Sequence, residues 1–142
     1  MRIAKQVERW FTVPNDPDGA RIKMKQLTPE DKADIYDRVF VQRIDYEKDA
    51  NGDLQPKMSQ ETNKQLDREL TVQKSIVDWE NFFDEDDKKL ECTPENIIRA
   101  LEEIEGFNVL ISDFRKKLAT EIEGEKEKQR KNLPGSASVR KK

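Results

Sequence analysis

The residues best equipped for chemistry are the carboxylates of Asp84-Glu85-Asp86-Asp87, because consecutive acids offer hard oxygen ligands to a divalent cation. A cation cage also needs a glycine for its sharp turn and a spaced acid to close the shell. The run has neither, so a solvated turn is the expectation and no metal is assigned to it. Glu47-Lys48-Asp49-Ala50-Asn51-Gly52 begins like a calcium loop, with side-chain oxygens at alternate positions and Gly at the sixth. Its twelfth position, where a bidentate acid must close the shell, is Met58. A hairpin turn is expected there instead. The chain has no histidine, which removes the commonest general base and any Cys/His nucleophile pair. Cys92 stands alone, excluding an intramolecular disulfide and Cys/His zinc sites. The five glycines form no phosphate-cradling loop. The sequence therefore reads as a protein that is not an enzyme and uses no cofactor.

Two other groups of residues could recognise a partner. Trp79, Phe82 and Phe83 precede the acidic run, and such a trio either anchors a core or forms a patch in which binding energy concentrates. The C-terminal stretch from Glu125 to Lys142 carries seven Lys or Arg against two Glu. It could touch phosphates, but it has no interleaved aromatic for stacking on bases, so specific nucleic-acid binding is not expected. A solvated tail is the simpler reading. By contrast, Asp78 to Glu105 holds eleven acids against three basic residues.

The elements that must position these groups are legible in part. Trp10 to Val13 and Arg21 to Lys25 read as two strands, since Ile22 and Met24 alternate with charged residues and the separator Pro14 to Gly19 is dense in turn formers. Thr28-Pro29-Glu30-Asp31 predicts a helix through about Arg38, with a capping hydroxyl, Pro at the first position and acids at the positive end. Val39, Val41, Ile44 and Tyr46 suggest an extended segment, Asp49 to Asp53 a turn, and Leu54 to Met58 a returning strand that Pro56 confines to an edge. From Ser59 the texture turns helical, with Leu66 and Leu70 four apart and the pattern continuing to Ile76, Val77 and Trp79. Thr93-Pro94 opens a further helix marked by Ile97, Ile98, Leu101 and Ile104. After Gly106, a stripe of Phe107, Leu110, Ile111, Phe114, Leu118 and Ile122 predicts a long amphipathic helix.

Together these give an α+β fold, with a small antiparallel β-sheet in the N-terminal half and a predominantly helical C-terminal half. One globular domain is expected over residues 1–124, β-rich to 58 and helical from 59, followed over 125–142 by a frayed charged helix and a disordered tail. With 142 residues, one small core is the expectation; 34% apolar against 40% charged residues requires extensive solvated surface. No segment approaches the ~20 apolar residues of a membrane span, and the N-terminus has no apolar stretch of a signal peptide. Neither a membrane partner nor export is therefore expected, and the lone cysteine suits a reducing cytoplasm.

The C-terminal half also carries a string of features: Ile76-Val77-Asp78-Trp79-Glu80, the aspartate turn, Thr93-Pro94-Glu95-Asn96, the Gly106-Phe107 break, the long helix, and Lys131-Asn132. From about Leu70 to Asn132 this resembles the tail assembly chaperones of long-tailed bacteriophages and prophages, which carry comparable W-E, D-x-D-G and T-P-E-N motifs. Asp87 stands where that family's turn favours Gly. The resemblance implies a protein of the bacterial host cytoplasm that binds the tape-measure protein and delivers it to tail-tube subunits during tail assembly. A homo-oligomer is compatible with it. The candidate client-binding residues are Trp79, Phe82, Phe83, Phe107, Phe114 and Leu118, where the aromatic trio is expected to approach the stripe of the last helix. Alternatives are a structural tail component, such as a tube or tail-completion protein, and a host adaptor that binds nucleic acid weakly.

Overall fold

The structure is a computed structural model that describes residues 1–3 and 5–132. The tail from 133 to 142, where the sequence predicts disorder, lies outside the described residues. The fold is α+β, as expected. It comprises two compact units, one of Met1–Gln26 with the chain from Ser75 on, the other of Leu27–Lys74.

In the first unit, strands β1 (Glu8–Thr12), β2 (Arg21–Lys25) and β5 (Ile76–Glu80) form an antiparallel sheet in the order β1-β2-β5. Alternation places Phe11, Ile22, Met24 and Trp79 on one face, and Ile22 and Met24 are fully buried there. The opposite face is charged. On it Trp10 lies under the Arg21 guanidinium at 4.7 Å, and ion pairs join Lys23 to Glu8 and Arg21 to Glu80. The β1–β2 connection closes through Asp16, whose Oδ2 accepts the Ala20 N–H at 2.8 Å.

The sequence predicts that helix continues through Trp79, but residues 76–80 are strand β5. Ile76 and Trp79 are three apart, a helical spacing, yet both belong to the inner face. The register explains this: Asp78 lies opposite Lys23 and Ile76 opposite Met24, so Val77 is an extra residue absorbed as a bulge. Without it, period-two alternation would put Ile76 and Trp79 on opposite faces.

Two helices complete this unit, α3 (Pro94–Glu103) and α4 (Phe107–Lys131). Thr93 caps α3, its Oγ1 accepting the Asn96 N–H at 3.1 Å, with Pro94 at the first helical position. Gly106, at φ +76°, turns the chain into α4 in a backbone region that other residues occupy at a cost. The predicted stripe is real. Phe107, Ile111, Phe114, Leu118 and Ile122 are all buried, and α4 packs on the sheet with Phe114 stacked on Phe11 at 5.1 Å. Farther along α4, Glu125 receives the Arg9 guanidinium at 2.7 Å.

The second unit is an excursion of the chain between the neighbouring strands β2 and β5. It contains α1 (Pro29–Val39), β3 (Phe40–Lys48), β4 (Leu54–Thr62) and most of α2 (Lys64–Ser75). A capping box holds the start of α1: Thr28 Oγ1 accepts the Asp31 N–H, and the Asp31 carboxylate accepts the Thr28 N–H, both at 3.0 Å. Such a cap stabilises a helix by about 1 kcal/mol. Ile35 and Val39 pack with Leu70, bordered by Leu27 and Leu66, in a small core of their own. Asp34 meets both Arg38 and Lys74, and its hydrogen bond from Lys74 helps hold its carboxyl below the usual carboxylate range. β3 and β4 pair in register over nine residues as a separate two-stranded ribbon. β4 runs on to Thr62, beyond the point at Ser59 where the sequence predicts helix.

Candidate protein-binding site

The two loops that the sequence offers as cation sites share one hydrogen-bonding scheme. At the tip of the ribbon, Asp49 Oδ1 accepts the N–H groups of Asn51 and Asp53 at 2.9 and 3.0 Å. In the acidic loop, Asp84 Oδ1 accepts those of Asp86 and Lys88 at 2.8 and 2.9 Å. Main-chain bonds match as well, Asp49 N–H to Asp53 O and Asp84 N–H to Lys88 O. In each loop the first aspartate organises the turn. The hydrogen bonds Asp49 receives, that from Asp53 foremost, hold its carboxyl below the usual range. Among the described residues no group of three or more His, Cys, Asp or Glu is arranged to hold a metal ion.

The fourth position of each loop is left-handed, at φ +81° for Gly52 and +59° for Asp87. A side chain in this region costs roughly 1–2 kcal/mol, against roughly 0.5–1 for the chain entropy of glycine. Asp87→Gly is therefore expected to stabilise the protein by about 0.5–1 kcal/mol, raising the thermal midpoint in a circular-dichroism melt. A lower midpoint would show that the Asp87 side chain makes a stabilising contact of its own.

The six candidate client-binding residues divide sharply. Trp79, Phe82, Phe107, Phe114 and Leu118 are buried, and only Phe83 is exposed, at 43%. Trp79 stacks on Phe82 at 4.2 Å, Phe82 meets Phe107 edge-on at 6.3 Å, and Trp79 Nε1 donates to the Leu90 carbonyl at 2.8 Å. The trio does approach the stripe of α4, but chiefly by joining its core. Five of the six thus have a packing role, and of the six Phe83 alone presents its side chain to solvent. It borders a shallow cleft of about 160 Å³ with Phe82, Phe107, Leu110, Val13 and the exposed Ile104. That volume accepts a side chain, well short of the several hundred Å³ of a small-molecule pocket. The acidic loop beside it is tied to α3, Arg99 reaching both Glu85 and Glu103. Cys92 follows the loop with its thiol pushed up to about 11, first by burial and then by Asp78, so it is protonated at neutral pH and a poor nucleophile.

A larger apolar surface lies on the ribbon, which the sequence reading did not single out. Phe40, Ile44 and Tyr46 of β3 share a face with Leu54, Pro56 and Met58 of β4, Ile44 opposite Met58 and Tyr46 opposite Pro56. All six are exposed, Tyr46 and Met58 at 67% each. Tyr36, also exposed, extends the patch from α1 by lying against Phe40 at 4.3 Å. The reverse face is charged, with Arg43 paired to Asp45 and Glu61, and Lys57 to Glu47. The sequence signal was available in the alternation of Ile44 and Tyr46 with Arg43, Asp45 and Glu47. Whether anything covers the apolar side is a matter of tertiary structure.

Residues 25–135 match the model of the YdaY prophage protein family. The chain belongs to that family. The match takes in the ribbon, the acidic loop, α3 and the described part of α4, and it begins at the last residue of β2. No curated protein and no solved structure matches this YdaY-family chain. Prophage origin is therefore supported from the sequence as a whole, independently of the short motifs. Among the described residues of this prophage protein, no helix is long and apolar enough to cross a membrane.

Proposed function

We propose that this prophage protein is a non-enzymatic tail assembly chaperone, which binds the tape-measure protein in the host cytoplasm and delivers it to tail-tube subunits. The observation that carries the reading is the apolar face of the ribbon, where Ile44, Tyr46, Leu54 and Met58 stand 55 to 67% exposed on a surface otherwise rich in charge. Contiguous exposed apolar side chains rimmed by charge characterise protein-binding surfaces. A stripe of this width suits the apolar side of an amphipathic helix. Excess charge elsewhere keeps the chain soluble while that stripe stays uncovered. Prophage membership and the resemblance of about Leu70 to Asn132 to tail assembly chaperones support the same reading. Phe83 and Ile104 offer a second, smaller contact.

Co-expression with the tape-measure protein of the same prophage tests it. The wild-type chain is expected to keep the client soluble and to co-purify with it. Ile44→Asp combined with Met58→Asp is expected to weaken capture at least ~100-fold, the cost of replacing two apolar anchors by charges. Phe83→Ala should have a smaller effect. A client that stays insoluble beside the wild-type chain, or capture unchanged by the double substitution with the fold intact, overturns the reading. Recovery of the chain as a stoichiometric part of finished tails would favour a structural tail component.

A further inference from the structure

We propose that two copies of this chain pair antiparallel through the outer edge of β3, joining their ribbons into a four-stranded sheet of order β4-β3-β3-β4. The inference stands on the strand edge and its charges, apart from the chaperone reading. A lone two-stranded ribbon is marginally stable in water, and an open edge is a template for a further strand. Within the chain the bonds Asp49 N–H to Asp53 O and Asn63 N–H to Val39 O fix the ladder. Odd-numbered residues of β3 bond to β4, so the backbone groups of Gln42, Ile44, Tyr46 and Lys48 face outward. On the outer edge of β4 the equivalent position is Pro56, opposite Tyr46, which has no N–H to offer. The β3 edge is therefore the one able to continue the sheet.

Charge selects the occupant and its register. With Ile44 facing Ile44 of the second copy across a two-fold axis, Gln42 faces Tyr46 and Arg43 faces Asp45, each relation occurring twice. The three central pairs exchange about six backbone hydrogen bonds. Arg43 and Asp45 then occupy non-hydrogen-bonded positions, where side chains of neighbouring strands come closest. The nearest alternative registers that preserve the hydrogen bonds put Arg43 against Arg43 or Asp45 against Asp45 on the axis. The Asp45-centred register pairs Arg43 with Glu47 but sets Asp45 against Asp45, so of the three only the Ile44-centred register joins unlike charges with no like pair opposed, and in it β3 is complementary to itself. The two apolar stripes fall on the same side of the joined sheet.

Sedimentation of the full chain across micromolar concentrations tests the pairing. The wild type is expected to show a monomer–dimer equilibrium. Arg43→Asp places acids opposite acids and Asp45→Arg places arginines opposite arginines, so each variant alone should dimerise roughly 30-fold more weakly. An equimolar mixture of the two should recover dimer, because both acids of the first variant then face arginines of the second across the joined edge. This recovery also excludes unfolding of the ribbon as the cause of the loss. A monomeric wild type overturns the proposal, as does undiminished dimerisation of either variant or a mixture that stays monomeric.

Discussion

Phe114→Ala is expected to lower stability by about 3–5 kcal/mol, the range for removing a buried aromatic side chain. Phe114 is 1% exposed, stacks on Phe11 at an interplanar angle of 17°, and lies at the middle of the α4 stripe. Truncation removes the ring joining α4 to the sheet and leaves a space that neighbouring side chains, held in their rotamers, fill only partly. For a protein with a total stability of roughly 5–15 kcal/mol, this takes a large share of the margin. Urea denaturation followed by tryptophan fluorescence is the measurement, because both tryptophans, Trp10 and Trp79, belong to the unit containing α4. Phe114→Leu, which retains most of the apolar volume, should cost well under half as much. Phe83→Ala serves as the contrast: it is partly solvated, and its removal should cost about 1 kcal/mol or less. If Phe114→Ala were as mild as Phe83→Ala, α4 would not be held to the sheet by its apolar stripe.

Which features were legible in the sequence follows from how local their causes are. The starts of α1 and α3 were readable because Thr28-Pro29 and Thr93-Pro94 carry their capping chemistry within four residues. The inward face of α4 was readable because a helix on one core keeps a single apolar period over successive turns. β5 was misread because its inward residues, Ile76 and Trp79, have helical spacing, and only pairing with β2 reveals Val77 as the bulge. The tip of the ribbon was found through Asn51-Gly52, while the far end of β4 is polar and matched no strand pattern.

The candidate binding surface shows the same division. Aromatic side chains near an acidic run suggested a contact site, yet the chain folds them inward: Asn81, at φ +62°, redirects the backbone so that Phe82 returns to stack on Trp79. Burial is a property of what covers a residue, and nothing local separates buried Phe82 from exposed Phe83. The ribbon is the converse case. Its alternation was visible, but alternation predicts a half-buried strand, and the surface exists because among the described residues no third element covers the stripe.

Trp79→Ala should be at least as costly, for reasons reaching beyond lost volume. Trp79 is 6% exposed, lies opposite Ile22 in the sheet, supports Phe82 by stacking, and donates from Nε1 to the Leu90 carbonyl. The cavity accounts for about 3–5 kcal/mol, and the unpaired carbonyl adds about 1–3 if it stays buried. Trp79→Phe separates the two contributions, since it keeps an aromatic ring but loses the donor, and its expected cost is about 1–3 kcal/mol. The chemical state of Cys92 provides a second readout. Burial foremost, with Asp78, raises that thiol to about 11 from an ordinary 9.0, so the folded protein favours the protonated form. Loosening the loop that Trp79 holds at Leu90 admits water around Cys92 and returns its thiol toward the ordinary value. Alkylation by iodoacetamide at mildly alkaline pH should then accelerate roughly 10- to 100-fold in Trp79→Ala, through the larger thiolate fraction. Trp79→Phe should react at an intermediate rate. A loss of stability without faster alkylation would mean that the loop keeps its place through the Leu90 to Phe82 backbone bond and the Phe83–Lys89 bridge alone.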